Sequence, residues 1–195
     1  MIRLGKSLAA ARTAAARAVA RLGIGPTHLT VAGFILALIS GYIYFRGYFP
    51  WAAAFLTLSA LCDLFDGEVA RVSGRVSRFG AFLDSTLDRA GDAAVIGGIM
   101  LYYASSAADR YVALGLAALV GAFLTSYVRA RAESLIERCD VGLFERPERL
   151  VVLIVAGFTG WVSAALWILA VAGIFTALQR IVHVKRATMD DRKDA

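Results

Sequence analysis

Apolar residues fill this chain in long blocks separated by short polar breaks. Residues 1–22 are the exception. There Leu4, Leu8, Ala11, Ala15, Val19 and Leu22 recur at steps of three and four, while Arg3, Lys6, Arg12, Arg17 and Arg21 supply a basic remainder. This spacing predicts an amphipathic helix lying in a membrane interface rather than crossing it. Gly23, Gly25 and Pro26 end the pattern. Four long apolar blocks follow, over residues 28–45, 50–72, 79–104 and 111–133. A charged connection runs from Glu133 to Arg149, and residues 150–178 then carry no charge at all. That last stretch is long for one membrane span and short for two. Gly157 and Gly160 offer a turn, which divides it near residue 160. The pattern therefore predicts an all-α integral membrane fold. An N-terminal amphipathic juxtamembrane helix (residues 1–22) precedes a six-span domain (residues 23–195) with a short C-terminal tail.

Composition agrees. Hydrophobic residues make up 59% of the 195 positions and charged residues 18%, with a mean hydropathy of +0.66. A soluble domain is nearer half apolar and a quarter charged, so neither a disordered chain nor a water-soluble globule fits. The net charge of +6 reads as membrane orientation and attraction to anionic head groups or phosphates, not as nucleic-acid binding. On the six-span reading only Arg46 and Arg110, of 21 basic residues, fall on the outer side. This asymmetry places both termini in the cytoplasm. The basic N-terminal segment lacks the uninterrupted apolar core of a secretory signal. Cys62 and Cys139 have neither metal-site spacing nor a disulfide framework, and His28 and His183 have no metal partner in pattern.

The informative charges are the acids inside the apolar blocks. Asp63, Asp66 and Glu68 lie near the end of the second predicted span; Asp84, Asp88 and Asp92 lie in the first half of the third. Ionisable residues at such positions usually face the protein interior or a polar cavity and mark function. Asp63 and Asp66 are three apart, Asp84 and Asp88 four apart, so each pair shares a helix face. A short connection makes the two spans antiparallel neighbours and brings four carboxylates to one cytoplasmic depth. Such a cluster needs cations. All-oxygen ligation suits hard divalent ions, Mg²⁺ first, with Mn²⁺ an alternative. Gly67, Ala70 and Gly80 leave room for a ligand against the backbone, and Arg71 is suited to a bidentate phosphate contact.

The full run reads Asp63-x2-Asp66-Gly67-x2-Ala70-Arg71-x8-Gly80-x3-Asp84-x3-Asp88. At all eight positions it resembles the signature of the CDP-alcohol phosphotransferase family. The resemblance implies a six-span homodimeric enzyme of the prokaryotic cytoplasmic membrane, preceded by an interfacial helix. Such an enzyme moves a phosphatidyl-type group from a CDP-linked lipid to an alcohol and releases CMP. It also implies two metal ions on Asp63, Asp66, Asp84 and Asp88, with Asp88 as general base. Gly67, Ala70, Arg71 and Gly80 would then shape the CDP site. Pro26 and Thr30 resemble the family's Pro-x-x-x-Thr entry to the first span, which puts Thr30 near the donor phosphates. Thr27 offers a helix cap on the bare reading of that segment.

Two further segments, Ser126–Glu133 and Glu145–Leu150, with Gln179 and Arg180, resemble the branch of the family whose acceptor is inositol phosphate. That resemblance implies that Arg129, Arg149 and Arg180 bind the acceptor phosphate and that Pro147 lines the site. Arg129 stands where relatives often have lysine. The same arginines also serve the inside-positive charge distribution. Arg131, Arg138 and Arg146 read as head-group or helix-end charges. A second reading keeps the donor and takes glycerol 3-phosphate as acceptor, giving phosphatidylglycerol phosphate. More remote are a membrane prenyltransferase, which also holds diphosphates through Asp-rich helices, and an ion-coupled transporter. A transporter would place its acids near mid-membrane, whereas these cluster toward one end.

Overall fold

The computed structural model describes residues 2–190, with side chains over residues 12–189. Leu4, Leu8, Ala11, Arg3 and Lys6 of the predicted amphipathic helix, and Arg192 and Lys193 of the tail, lie outside the described side chains. Seven helices follow one another: α1 (Ile2–Arg21), α2 (Pro26–Phe45), α3 (Phe49–Val72), α4 (Arg78–Ser105), α5 (Asp109–Ala132), α6 (Arg146–Thr159) and α7 (Val162–Asp190). Among the described residues there is no strand. The apolar blocks and the helices agree to within about two residues at most ends, the scatter expected of helix boundaries.

Glycines and prolines set the breaks. Gly23, Gly47, Gly74 and Gly160 all have φ between +67° and +80°, a conformation costly for side chains with a Cβ. Gly160 is the left-handed cap of α6, so the uncharged stretch divides where its glycine predicts. Pro26 starts α2 with its missing N–H where no helical bond is needed. The cap of α2 differs from expectation. Gly25 precedes the helix, its N–H donates to His28 Nδ1 (3.1 Å), and Thr27 is not the capping residue.

Helices α2, α5 and α7 are long and apolar enough to cross a membrane. The others depart from that standard for identifiable reasons. Helices α3 and α4 carry acids toward their joined ends, and α6 has 14 residues, or about 21 Å at 1.5 Å per residue, against a hydrocarbon core of about 30 Å. Large apolar side chains including Trp51, Trp161, Trp167, Leu116 and Phe123 point outward, as lipid contact requires. The buried core is built from Tyr44, Leu56, Val95, Ile96, Ile99, Leu166 and Leu169. Tyr44, fully buried, donates its hydroxyl to Leu153 O (2.8 Å) and ties α2 to α6.

Helix α1 packs on α3, to which Arg12 and Thr13 reach at Glu68, and its Ala16 is fully buried. The predicted apolar stripe is not that face. Ala15 and Leu22 are exposed, and the step from 15 to 16 turns about 100° around the helix. The described part of α1 therefore has separate sides for the bundle and for an apolar environment.

Glycines allow backbones to touch. A Cβ on Gly98 of α4 would overlap Gly41 O of α2, and one on Gly121 would lie 3.2 Å from Ile174 N of α7. Gly115 faces Met100. These three glycines pack helices within the chain, whereas Gly97 has no neighbour within 4 Å. Gly98→Ala should force α2 and α4 apart and destabilise the protein by about 1–3 kcal/mol. Gly97→Ala should be neutral. Thermal unfolding of both variants in detergent checks this; equal melting temperatures would contradict the close α2–α4 approach.

Candidate active site

Helices α3 and α4 are joined by residues 73–77, so the end of one and the start of the other meet. Ser77 caps α4, its Oγ accepting from Gly80 N–H (2.9 Å). Asp63 and Asp66 therefore face Asp84 and Asp88 across the helix pair. Asp66 is buried and accepts a hydrogen bond from the Thr30 hydroxyl of α2 (Oδ2, 2.8 Å). Gly33, almost one turn beyond Thr30, makes room for Asp63: a Cβ there would stand 2.7 Å from Asp63 Oδ1. Ser59 Oγ donates to Gly33 O (2.8 Å) and holds α2 against α3 at this level.

The principal correction to the sequence reading is Arg146. It is not a head-group charge. Its side chain is largely buried among the acids, with Nη1 2.7 Å from Asp63 Oδ2 and 3.0 Å from Asp88 Oδ1, and Nε 3.7 Å from Asp92 Oδ1. Arg149, one turn along α6, pairs with Asp92 (2.8 Å), and both are buried. Arg89 rests on Ser85 O and lies 4.0 Å from Asp88. Among the described residues no three acids, histidines or cysteines stand at ion-binding distance. The donor set nevertheless fits a hard divalent cation: carboxylates from two helices converge, and a cationic group already lies between them.

Beside the acids opens a cavity of about 250 Å³. Thr30, Gly67, Ala70, Arg71 and Gly80 all line it, and Asp66 and Asp84 contribute to the same wall. Every residue expected at the CDP site thus surrounds one space. A Cβ on Gly67 would meet nothing within 4 Å, so that glycine leaves the cavity open rather than relieving a packing clash. Arg75 adds a second guanidinium to the lining.

The expected acceptor residues divide into two groups. Arg129 and Arg180 converge on Glu145: Arg129 Nη1 lies 3.1 Å from Glu145 Oε1, and Arg180 Nη2 donates to the same oxygen. Arg180 is buried and also donates to Thr125 O and Val141 O (both 2.7 Å). Arg129 binds Glu133 as well (3.0 Å). Arg149 is drawn instead to Asp92. Pro147 is exposed in the first turn of α6 and is not among the residues that pair with the arginines. Glu145, to which the sequence reading gave no role of its own, is thus the carboxylate that gathers two of the three arginines. Alternating charge over Glu145–Arg149 was the available signal for it and for Arg146.

This arrangement is that of a phosphatidyl-transferring enzyme. Residues 24–179 match the CDP-alcohol phosphatidyltransferase family, and the chain belongs to it. The phosphatidylinositol phosphate synthase of Streptomyces avermitilis is 39% identical over 185 residues, which cover 87% of this chain and 76% of that one. The archaetidylinositol phosphate synthase of Methanothermobacter thermautotrophicus is 38% identical over 170 residues, 84% of this chain and 85% of that one. Among solved structures, the Mycobacterium tuberculosis phosphatidylinositol phosphate synthase with CDP-DAG bound is similar at a TM-score of 0.80 and 34% identity. That match covers 89% of this chain and 92% of the other. The same enzyme in complex with manganese and citrate gives a TM-score of 0.78 at 35% identity, covering 89% and 88%.

Arg146→Ala should leave Asp63, Asp88 and Asp92 facing one another without their nearest shared cation. Removing one partner of a largely buried pair costs roughly 2–4 kcal/mol. The metal-free variant should melt several degrees below wild type, and added Mg²⁺ or Mn²⁺ should stabilise it more than wild type. Thermal unfolding with and without the ion checks both; an unchanged melting temperature would remove Arg146 from the acid cluster.

Proposed function

We propose that this chain transfers the phosphatidyl group of CDP-diacylglycerol, or an ether analogue, to inositol 1-phosphate, forming phosphatidylinositol phosphate and CMP. One observation carries the reading. The acids of the family signature meet at the α3–α4 junction beside a cavity lined by the remaining signature residues, and the start of α6 brings Arg146 to the acids and Glu145 to Arg129 and Arg180. The named activities of the similar synthases support the acceptor.

The cavity takes the cytidine diphosphate portion of the donor, with Arg71 and Thr30 toward its phosphates. Asp63, Asp66, Asp84 and Asp88 would hold two divalent ions, Mg²⁺ or Mn²⁺, which supply charge neutralisation at the diphosphate and the departing CMP. Asp88 accepts the proton of the inositol hydroxyl. The freed oxygen forms a bond to the phosphorus that carries the lipid, the bond from that phosphorus to the bridging oxygen breaks, and CMP leaves with the electron pair. Arg129, Arg149 and Arg180 bind the acceptor phosphate, a dianion that competes with Glu145 for Arg129 and Arg180 and with Asp92 for Arg149. Pro147 flanks this site.

The remaining architecture follows. Residues 1–22 lie along the membrane surface, and residues 23–195 form the catalytic domain, in which α2 to α7 make six spans. Shallow insertion of α6 suits a helix whose first turn serves the site. Both termini face the cytoplasm of a prokaryotic inner membrane, as the placement of basic residues supports. The enzyme works as a homodimer. Glycerol 3-phosphate is the competing acceptor, since it too pairs a hydroxyl with a phosphate; the Glu145–Arg149 segment favours inositol.

Purified enzyme supplied with CDP-diacylglycerol and Mg²⁺ should release CMP with inositol 1-phosphate and not with glycerol 3-phosphate. The reverse pattern would overturn the acceptor. Asp88→Asn should still bind CDP-diacylglycerol while turnover falls by about 10²–10⁴. Near-normal CMP release by that variant would defeat the base assignment. Arg129→Ala should raise KM for inositol 1-phosphate by about tenfold and leave the donor KM in place.

A further inference from the structure

Glu68 sits inside the signature segment at a position the signature leaves open, and no step of the transfer uses it. It is nonetheless buried, with 6% of its surface exposed, on the last turns of α3. Three groups converge on its carboxylate. Thr13 Oγ1 of α1 donates to Oε1 (2.9 Å), Arg71 Nη2 donates to Oε2 (2.6 Å), and Arg12 Nη2 of α1 lies 3.2 Å from the same oxygen. Two of the three come from the N-terminal helix. The third is the guanidinium that lines the donor cavity.

An arginine whose side chain is largely exposed, as Arg71's is, would otherwise spend its rotamer freedom among many positions. Glu68 removes that freedom by holding one terminal nitrogen. It does so without cancelling the positive charge, because two guanidiniums share one carboxylate. A diphosphate entering the cavity still meets a net cation, now fixed in place. On the α1 side the same carboxylate is held at Oε1 by Thr13, while Arg12 shares Oε2 with Arg71.

We propose that Glu68 is a positioning residue for donor binding: it locks the N-terminal helix onto α3 and, through that seat, aims Arg71 at the phosphates of the CDP-linked lipid. The helix that rests on the membrane surface is thereby coupled to the residue that receives a substrate drawn from that membrane. The inference rests on the reading of the cavity as the donor site.

Initial rates with CDP-diacylglycerol in mixed micelles and inositol 1-phosphate separate the two. Glu68→Ala should raise the donor KM by about tenfold while kcat and the acceptor KM stay within about twofold. Glu68→Gln should fall between, since an amide keeps one acceptor but turns a donor toward a guanidinium. Arg12→Ala with Thr13→Val leaves the Glu68–Arg71 pair intact and tests the α1 side should Glu68→Ala fail to fold; it should raise the donor KM less, again without moving the acceptor KM. In an Arg71→Ala background, Glu68→Ala should add nothing further. Loss spread equally over donor and acceptor parameters, or a full Glu68→Ala effect without Arg71, would overturn the inference. If Arg71→Ala itself leaves the donor KM unchanged, the donor-site reading fails. If Arg71→Ala raises it and Glu68→Ala does not, only the coupling fails.

Discussion

Carboxylates brought together at the end of two helices repel, and the surrounding bundle is arranged around that repulsion. Asp63, Asp66, Asp84, Asp88 and Asp92 share a region of low water access. The guanidiniums among them are Arg146, Arg149 and Arg89. Five formal negative charges against three positive ones leave an excess of two. A cluster in that state is held together partly by its own arginines, and its remaining negative charge suits a hard divalent cation. Hydrogen bonding adds to this: the Thr30 hydroxyl satisfies Asp66 without adding charge.

Packing makes the cluster possible. Asp63 has space only because position 33 on α2 lacks a Cβ, and α2 can lie that close to α4 only because Gly41 and Gly98 let their backbones touch. Gly67 plays a different part: a Cβ there would meet nothing within 4 Å, so its smallness keeps the cavity open. Small residues on one bundle thus do two jobs, close helix packing and opening of a cavity, which sequence alone does not tell apart.

Most of the fold was legible because membrane helices are written in long apolar blocks with glycine or proline at their ends. The division at Gly160 is the clearest instance. The signature acids were legible because each pair shares a helix face, and the cavity residues because they fill the remaining positions of the signature the chain resembles. What stayed hidden was pairing across the chain. Arg146 meets Asp63 over a separation of 83 residues, and Arg180 meets Glu145 over 35. Beyond the alternating charge over residues 145–149, little in the local sequence distinguishes such an arginine from one that marks the cytoplasmic side. Glu68 was hidden for the same reason, since its partners Arg12 and Thr13 lie 55 or more residues away.

The first turn of α6 brings these threads together. Glu145, Arg146 and Arg149 are close in sequence yet reach two sets of partners: Glu145 the arginines of α5 and α7, and Arg146 and Arg149 the acids of α3 and α4. A helix turn presents successive residues about 100° apart, so one short segment can face the two sides of a site at once. The capping contact of Glu148 to Glu145 N–H (2.9 Å) fixes that turn. Any anion that competes with Glu145 acts on the same turn that supplies Arg146 to the acids. The Glu145-centred arginines and the acid cluster are therefore joined through a single element, whose far end is set by the left-handed cap at Gly160.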